Sequence, residues 1–158
     1  MNAIRIIEGD LQAGDLRIAL VASRFNESIV DRLVQGAVEA LASHGADTTA
    51  IELVRVPGAF DLPPVVRRIA EARRCDAIVA LGAVIRGETP HFEYVAGECA
   101  AGLARVASDT GVPVAFGVLT TDTVEQAVER AGGEHGNKGA DAARAAIELA
   151  SLMRKLGG

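Results

Sequence analysis

The sequence predicts an α/β fold, a three-layer αβα sandwich in which helices cover both faces of a central four-stranded parallel sheet. Two patterns predict it. Short β-branched runs alternate with longer stretches of helical spacing four times along the chain, as strands joined by crossover helices do. Residues 77–85, AIVALGAVI, are almost wholly apolar, as a central strand covered on both faces must be. With 158 residues, 49% of them hydrophobic, the chain is expected to form a single domain, residues 1–158, with a full core.

Residues 4–7 are a short apolar stretch, read as a terminal strand. Residues 16–22 (LRIALVA) are a buried strand ending at Ser23-Arg24. Apolar Ile29, Leu33, Ala37, Ala40 and Leu41 give residues 28–43 helical spacing, and His44-Gly45 supplies the stop. Residues 48–56 read as a strand broken by Pro57-Gly58, and a helix follows over 62–73. After the strand 77–85, Thr89-Pro90 opens a helix, with Thr as N-cap and Pro at the first helical position. It runs to about Asp109 and ends at Gly111. Residues 114–120 are the next strand. Helices over 123–130 and 138–156 follow, separated by the Gly-rich segment 132–137.

Aromatic residues make up only 3% of the chain: four Phe, one Tyr and no Trp. The core is therefore aliphatic, and each ring invites a separate account. The net charge is −5, with no dense basic run, which together with the scarcity of rings argues against nucleic-acid binding. The apolar run 77–85 is too short to span a membrane. Residues 1–11 carry Arg5, Glu8 and Asp10 and lack a secretory apolar region, so a cytoplasmic location is expected. Cys75 and Cys99 form no CxxC pair and no metal spacing with His. They are expected to be reduced, mostly buried thiols.

In parallel α/β sheets, ligands bind outside the carboxyl ends of the strands. Phe25 and Phe60 fall just past two such ends, Phe116 falls within the last strand, and Phe92 and Tyr94 follow a strand-end loop. Residues 82–87 have the glycine spacing of a phosphate loop, but Glu88 stands where Lys is required. No GxGxxG motif follows a strand, so nucleotide binding is disfavoured; no GxSxG nucleophile elbow is present either. The stretch Gly82-Ala83-Val84-Ile85-Arg86-Gly87-Glu88-Thr89-Pro90-His91-Phe92 leaves a central strand and enters a helix. Free N–H groups at that helix start suit an anion, and a neutral His91 in the first turn could pass a proton. Equally, Thr89-Pro90 is a good cap and His91 a surface residue. His44 suits a helix C-terminus, and His135 has no assigned role. Arg130 could cap a helix or clamp a phosphate. Lys138 and Asp141, three residues apart, could form a surface ion pair.

Three blocks resemble lumazine synthases: Arg24-Phe25-Asn26; Val56-Pro57-Gly58-Ala59-Phe60-Asp61-Leu62-Pro63; and Leu81 through Glu93, with Gly87-Glu88-Thr89-Pro90-His91 the most specific part. The match continues through Phe116-Gly117-Val118-Leu119-Thr120, Arg130-Ala131-Gly132 and Gly136-Asn137-Lys138-Gly139, covering essentially the whole chain in order. The resemblance implies a flavodoxin-like fold and the penultimate step of riboflavin biosynthesis. There 5-amino-6-(D-ribitylamino)uracil and 3,4-dihydroxy-2-butanone 4-phosphate condense to 6,7-dimethyl-8-ribityllumazine, phosphate and water, without cofactor or metal.

Carried over by position, the resemblance implies that Phe25 stacks on the pyrimidine, beside Asn26. Ala59, Phe60 and Asp61 would hold the ribityl chain, and the backbone of Ala83, Val84 and Ile85 would read the uracil. Glu88 and Thr89 match the butanone-phosphate pocket, and His91 matches the proton-transfer residue. Phe116 and Arg130 would come from the adjacent subunit, with Lys138 a further contact. Asp61 departs from the family's usual Glu; its shorter carboxylate is expected to reach the ribityl hydroxyls through a water. The family forms pentamers, which in some members build shells of sixty subunits. The short 132–137 turn favours the shell, with residues 4–7 pairing as a strand with a neighbour. Riboflavin synthase is the protein partner the resemblance suggests, and neither nucleic acid nor membrane is expected as one. The alternatives are a non-catalytic flavin- or lumazine-binding protein, a shell-forming protein of the same fold, and the related archaeal-type riboflavin synthase.

Overall fold

A computed structural model describes residues 3–157. In chain order the elements are β1 (Ile18–Ser23), α1 (Glu27–Ser43), β2 (Glu52–Val56), α2 (Leu62–Glu71), β3 (Ala77–Ile85), α3 (His91–Thr110), β4 (Val114–Thr121), α4 (Val124–Glu129), β5 (Ala131–Gly133), β6 (Gly136–Asn137) and α5 (Lys138–Lys155). Short 3₁₀ turns precede β2 (Thr48–Ala50) and α2 (Ala59–Asp61).

Four strands form one parallel sheet in the order β2-β1-β3-β4, with Leu20 beside Val79 and Ala80 beside Phe116. β1 and β3 are the inner strands, and their side chains are buried on both faces. Alternate residues point to opposite faces, so the sheet feeds two cores. Leu20, Val79, Leu81 and Leu119 pack with Leu33, Leu41 and Ile147 beneath α1 and α5. Val21, Ile78, Ala80 and Val118 pack with Leu62, Val66, Leu103 and Val106 beneath α2 and α3. The largest fully buried side chains are Leu, Ile and Val, so the core is aliphatic as the composition implies.

The differences from expectation lie at element ends. Residues 48–50 coil into a 3₁₀ turn because the Asp47 carboxylate accepts from the Thr49 N–H at 3.0 Å, which shortens β2 to Glu52–Val56. Residues 4–7 form no strand within the chain; they join neither the four-stranded sheet nor the β5-β6 pair. The 132–137 segment is a tiny antiparallel hairpin, β5-β6. It delivers Asn137 as N-cap of α5, its Oδ1 accepting from Ala140 N–H and its Nδ2 donating to the Arg32 carbonyl, both at 3.0 Å. Gly139 follows because α5 crosses α1 closely: a Cβ there would stand 2.1 Å from the Leu33 carbonyl oxygen. Among the described residues no helix is long and apolar enough to cross a membrane, and no group of three or more His, Cys, Asp or Glu is placed to hold a metal ion. Both thiols are free, Cys99 buried and Cys75 half-buried.

Candidate active site

β1 leads outward to β2 while β3 leads outward to β4, so the loops after β1 and β3 part company above the sheet. Parallel sheets bind ligands at this switch point. Here the carboxyl ends of β2, β1 and β3 open into a cleft of about 680 Å³, a volume suited to a small organic ligand.

Each wall comes from one strand end. β1 supplies Phe25 and Asn26, β2 supplies Pro57, Gly58, Ala59 and Phe60, and β3 supplies Ala83, Val84 and Ile85. Gly87 and Thr89 of the next loop and His91, Phe92, Tyr94 and Val95 of α3 close the remaining side. Phe25 is 72% exposed and Phe60 57%, so neither ring is used to fill the core. Tyr94, which the sequence reading left without a place, also lines the cleft. Tyr94 and Val95 stand three and four residues after His91 and so share its helix face; that spacing was available in the sequence.

Asn26 holds a left-handed backbone, φ 63°, which Asn tolerates better than most residues. Its Nδ2 donates to the Ala83 carbonyl at 2.9 Å. Asp61 turns its carboxylate back onto the Gly58 N–H at 3.0 Å, bracing the turn that presents Ala59 and Phe60. It does not line the cleft.

His91 is the first residue of α3. The helix begins one residue later than expected: Pro90, not Thr89, is the N-cap, with no side-chain cap bond. Pro90 has no N–H and no polar side chain, and Thr89 Oγ1 accepts from His91 N–H only at 3.4 Å. The amide end of a 20-residue helix is therefore weakly capped beside the cleft, which suits an anion.

Sequence reasoning gave Arg86 no role. Its guanidinium donates to Glu93, and through Nε to Asp122 at 2.9 Å. It also lies 4.4 Å from the centroid of the Phe92 ring. The Arg86 hydrogen bond holds the Glu93 carboxyl below its ordinary range, and the two carboxylates raise the guanidinium in turn.

The remaining candidates stand outside the cleft. Phe116 is the third residue of the edge strand β4, well below its carboxyl end, and is 43% exposed. Glu88 is exposed in the 86–90 turn. Arg130 follows α4, and its Nη1 donates to the Gln126 carbonyl at 3.0 Å, as a helix cap does. Lys138 begins α5, its backbone N–H bonded to the Arg130 carbonyl at 2.8 Å. The ion pair suggested for Lys138 and Asp141 is replaced by Asp141 with Arg144 at 3.4 Å. His44 is the C-cap of α1, and His135 lies 3.5 Å from Glu129.

Comparison with known proteins agrees in sequence over nearly the whole chain. A model of the 6,7-dimethyl-8-ribityllumazine synthase family matches residues 15–154. A protein of Halorhodospira halophila, named 6,7-dimethyl-8-ribityllumazine synthase, is 56% identical over 154 residues, covering 97% of this chain and 99% of that one.

Proposed function

The chain belongs to the 6,7-dimethyl-8-ribityllumazine synthase family, and from that premise we propose how its residues carry the reaction. The activity is the condensation of 5-amino-6-(D-ribitylamino)uracil with 3,4-dihydroxy-2-butanone 4-phosphate, giving 6,7-dimethyl-8-ribityllumazine, phosphate and water in riboflavin biosynthesis. The observation that carries the assignment of the site is the switch-point cleft, where two exposed Phe rings face a helix start bearing His91.

The pyrimidine stacks on Phe25, and the backbone of Ala83, Val84 and Ile85 reads its polar edge. The ribityl chain lies along Ala59 and Phe60, with Asp61 reached through a water because its carboxylate accepts from Gly58. The butanone phosphate enters at the Glu88-Thr89 turn, where the helix start attracts its charge. Holding two reactants together supplies much of the rate. The pyrimidine amine and the ketone form an imine with loss of one water, phosphate is eliminated, and the ring closes with loss of a second water. His91 moves protons in these steps.

Phe116, Arg130 and Lys138 serve the cleft of the adjacent subunit in a pentamer. That reading is supported by their position outside the cleft of their own chain and by the exposure of Phe116. Residues 4–7 add a strand to a neighbour, and the exposure of Ile4, Ile6 and Ile7 favours this. Pentamers associate into a shell of sixty subunits that works in the cytoplasm, with riboflavin synthase as its partner. Mixing the protein with both substrates tests the function: fluorescent lumazine should appear with stoichiometric phosphate. Its absence would favour a passive binding protein. Light scattering that reports a lone pentamer would overturn the shell.

A further inference from the structure

We propose that Arg86 is a positioning residue for the condensation, fixing where α3 begins and so aiming His91 into the cleft. The proposal deepens the reading above and rests on it for the role of His91.

The 86–90 turn has little else to hold it. Pro90 offers α3 no side-chain cap, and the Thr89 bond to the His91 N–H is long. A Cβ on Gly87 would meet nothing within 4 Å, and residues 86–91 are exposed to solvent. Arg86 ties this turn to two rigid elements, the end of β4 and the first turn of α3. Its backbone N–H donates to the Thr121 carbonyl at 2.9 Å, at the end of β4. Its Nε reaches Asp122 just beyond that strand, and its Nη1 reaches Glu93 in the first turn of α3. Its guanidinium carbon lies over the ring of Phe92, which packs against the core beneath α2 and α3.

Phe92 and Glu93 directly follow His91, so these contacts fix the backbone that carries the imidazole. An Arg fork can bond two carboxylates while its face stacks on a ring; a Lys ammonium cannot do all three. Neither carboxylate lines the cleft, so the work of Arg86 is geometric.

A double-mutant cycle tests this, using kcat and both KM values for wild type, R86M, H91A and R86M/H91A, with R86K as the conservative variant. R86M should lower kcat by about tenfold, as expected for a modest misplacement of a reacting group, with KM values within about threefold. R86K should recover part of the loss. In the H91A background R86M should change kcat by less than about twofold, since Arg86 would then have nothing to aim. An undiminished R86M effect in that background, or an effect confined to KM, overturns the proposal while leaving the role of His91 standing. Wild-type kcat in H91A overturns both. If R86M fails to fold or assemble, judged by circular dichroism and light scattering, R86K carries the same cycle: a smaller loss of kcat is expected, and the same results overturn the proposal.

Discussion

The side-chain amide of Asn26 donates to the Ala83 carbonyl at 2.9 Å, tying the carboxyl end of β1 to that of β3 on the floor of the cleft. The bond crosses the switch point, where the two loops diverge and no ladder hydrogen bond continues. It also occupies one acceptor of a carbonyl proposed to face the uracil. Asn26 is therefore a structural part of the site as much as a candidate contact.

Asn26→Ala removes that bond and places Ala at φ 63°. A net hydrogen bond contributes about 1 kcal/mol and the left-handed backbone costs Ala about 1–2 kcal/mol, so denaturant unfolding should show a loss of about 2–3 kcal/mol. Asn26→Gly relieves the backbone cost and should lose less. Equal losses would show that the left-handed conformation carries no strain here.

Phe25→Ala separates binding from folding. The ring is 72% exposed, so the unfolding midpoint should barely move. Stacking of an aromatic ring on a base is worth about 1–3 kcal/mol, so KM for the ribitylaminouracil should rise about tenfold or more. A large stability loss with unchanged KM would place the ring in packing instead.

The order of the main elements was legible because each depends on local signals. The apolar run of β3, the helical spacing of α1 and the stop at Gly111 all concern residues near one another in the chain. Strand-end logic likewise located Phe25, Phe60, Ala83 and His91 around one cleft. What escaped was set by side chains meeting across the fold. Arg86 reaches Asp122, 36 residues away, and no spacing announces that. The Asp47 turn replaced the start of β2 because a local side-chain bond competed with the strand. Pro90 took the N-cap position, shifting α3 by one residue, which is the usual margin at helix ends.

Arg130→Ala should mainly raise KM for the butanone phosphate, leaving kcat much less affected than His91→Ala does. Arg130 also caps α4 through the Gln126 carbonyl, so a loss of up to about 1 kcal/mol in stability is expected as well. Steady-state kinetics with each substrate varied in turn read the difference. If both substitutions altered kcat and KM alike, the division between proton transfer and phosphate binding would not hold.

Asp61 presents a choice between turn and ligand. Its carboxylate accepts from Gly58 N–H at 3.0 Å, so Asp61→Ala should destabilise the Ala59–Asp61 turn by about 0.5–2 kcal/mol, the worth of a capping side chain, and weaken ribityl binding with it. Asp61→Glu adds one methylene and frees the carboxylate to reach forward. KM for the ribitylaminouracil should fall while stability declines slightly. An unchanged KM would mean that the shorter reach has no consequence for binding.

Cys99 gives a pH dependence whose sign can be worked out. The thiol is buried beneath α3, and burial pushes its pKa from 9.0 to about 11. Above about pH 9 the unfolded chain gives up this proton while the folded chain keeps it. The unfolded state then binds fewer protons, and stability falls with rising pH. The contribution is fully present below about pH 9 and is lost as the folded thiol ionises near 11. Other groups titrate in the same window, so the measurement is the difference between wild type and Cys99→Ala in unfolding free energy from pH 8 to 11. The variant should start lower, because it leaves a small cavity, but decline less steeply. A thiol reagent should label half-buried Cys75 in the folded protein well before Cys99. Parallel pH curves for the two proteins would show that the Cys99 thiol is not held neutral by the core.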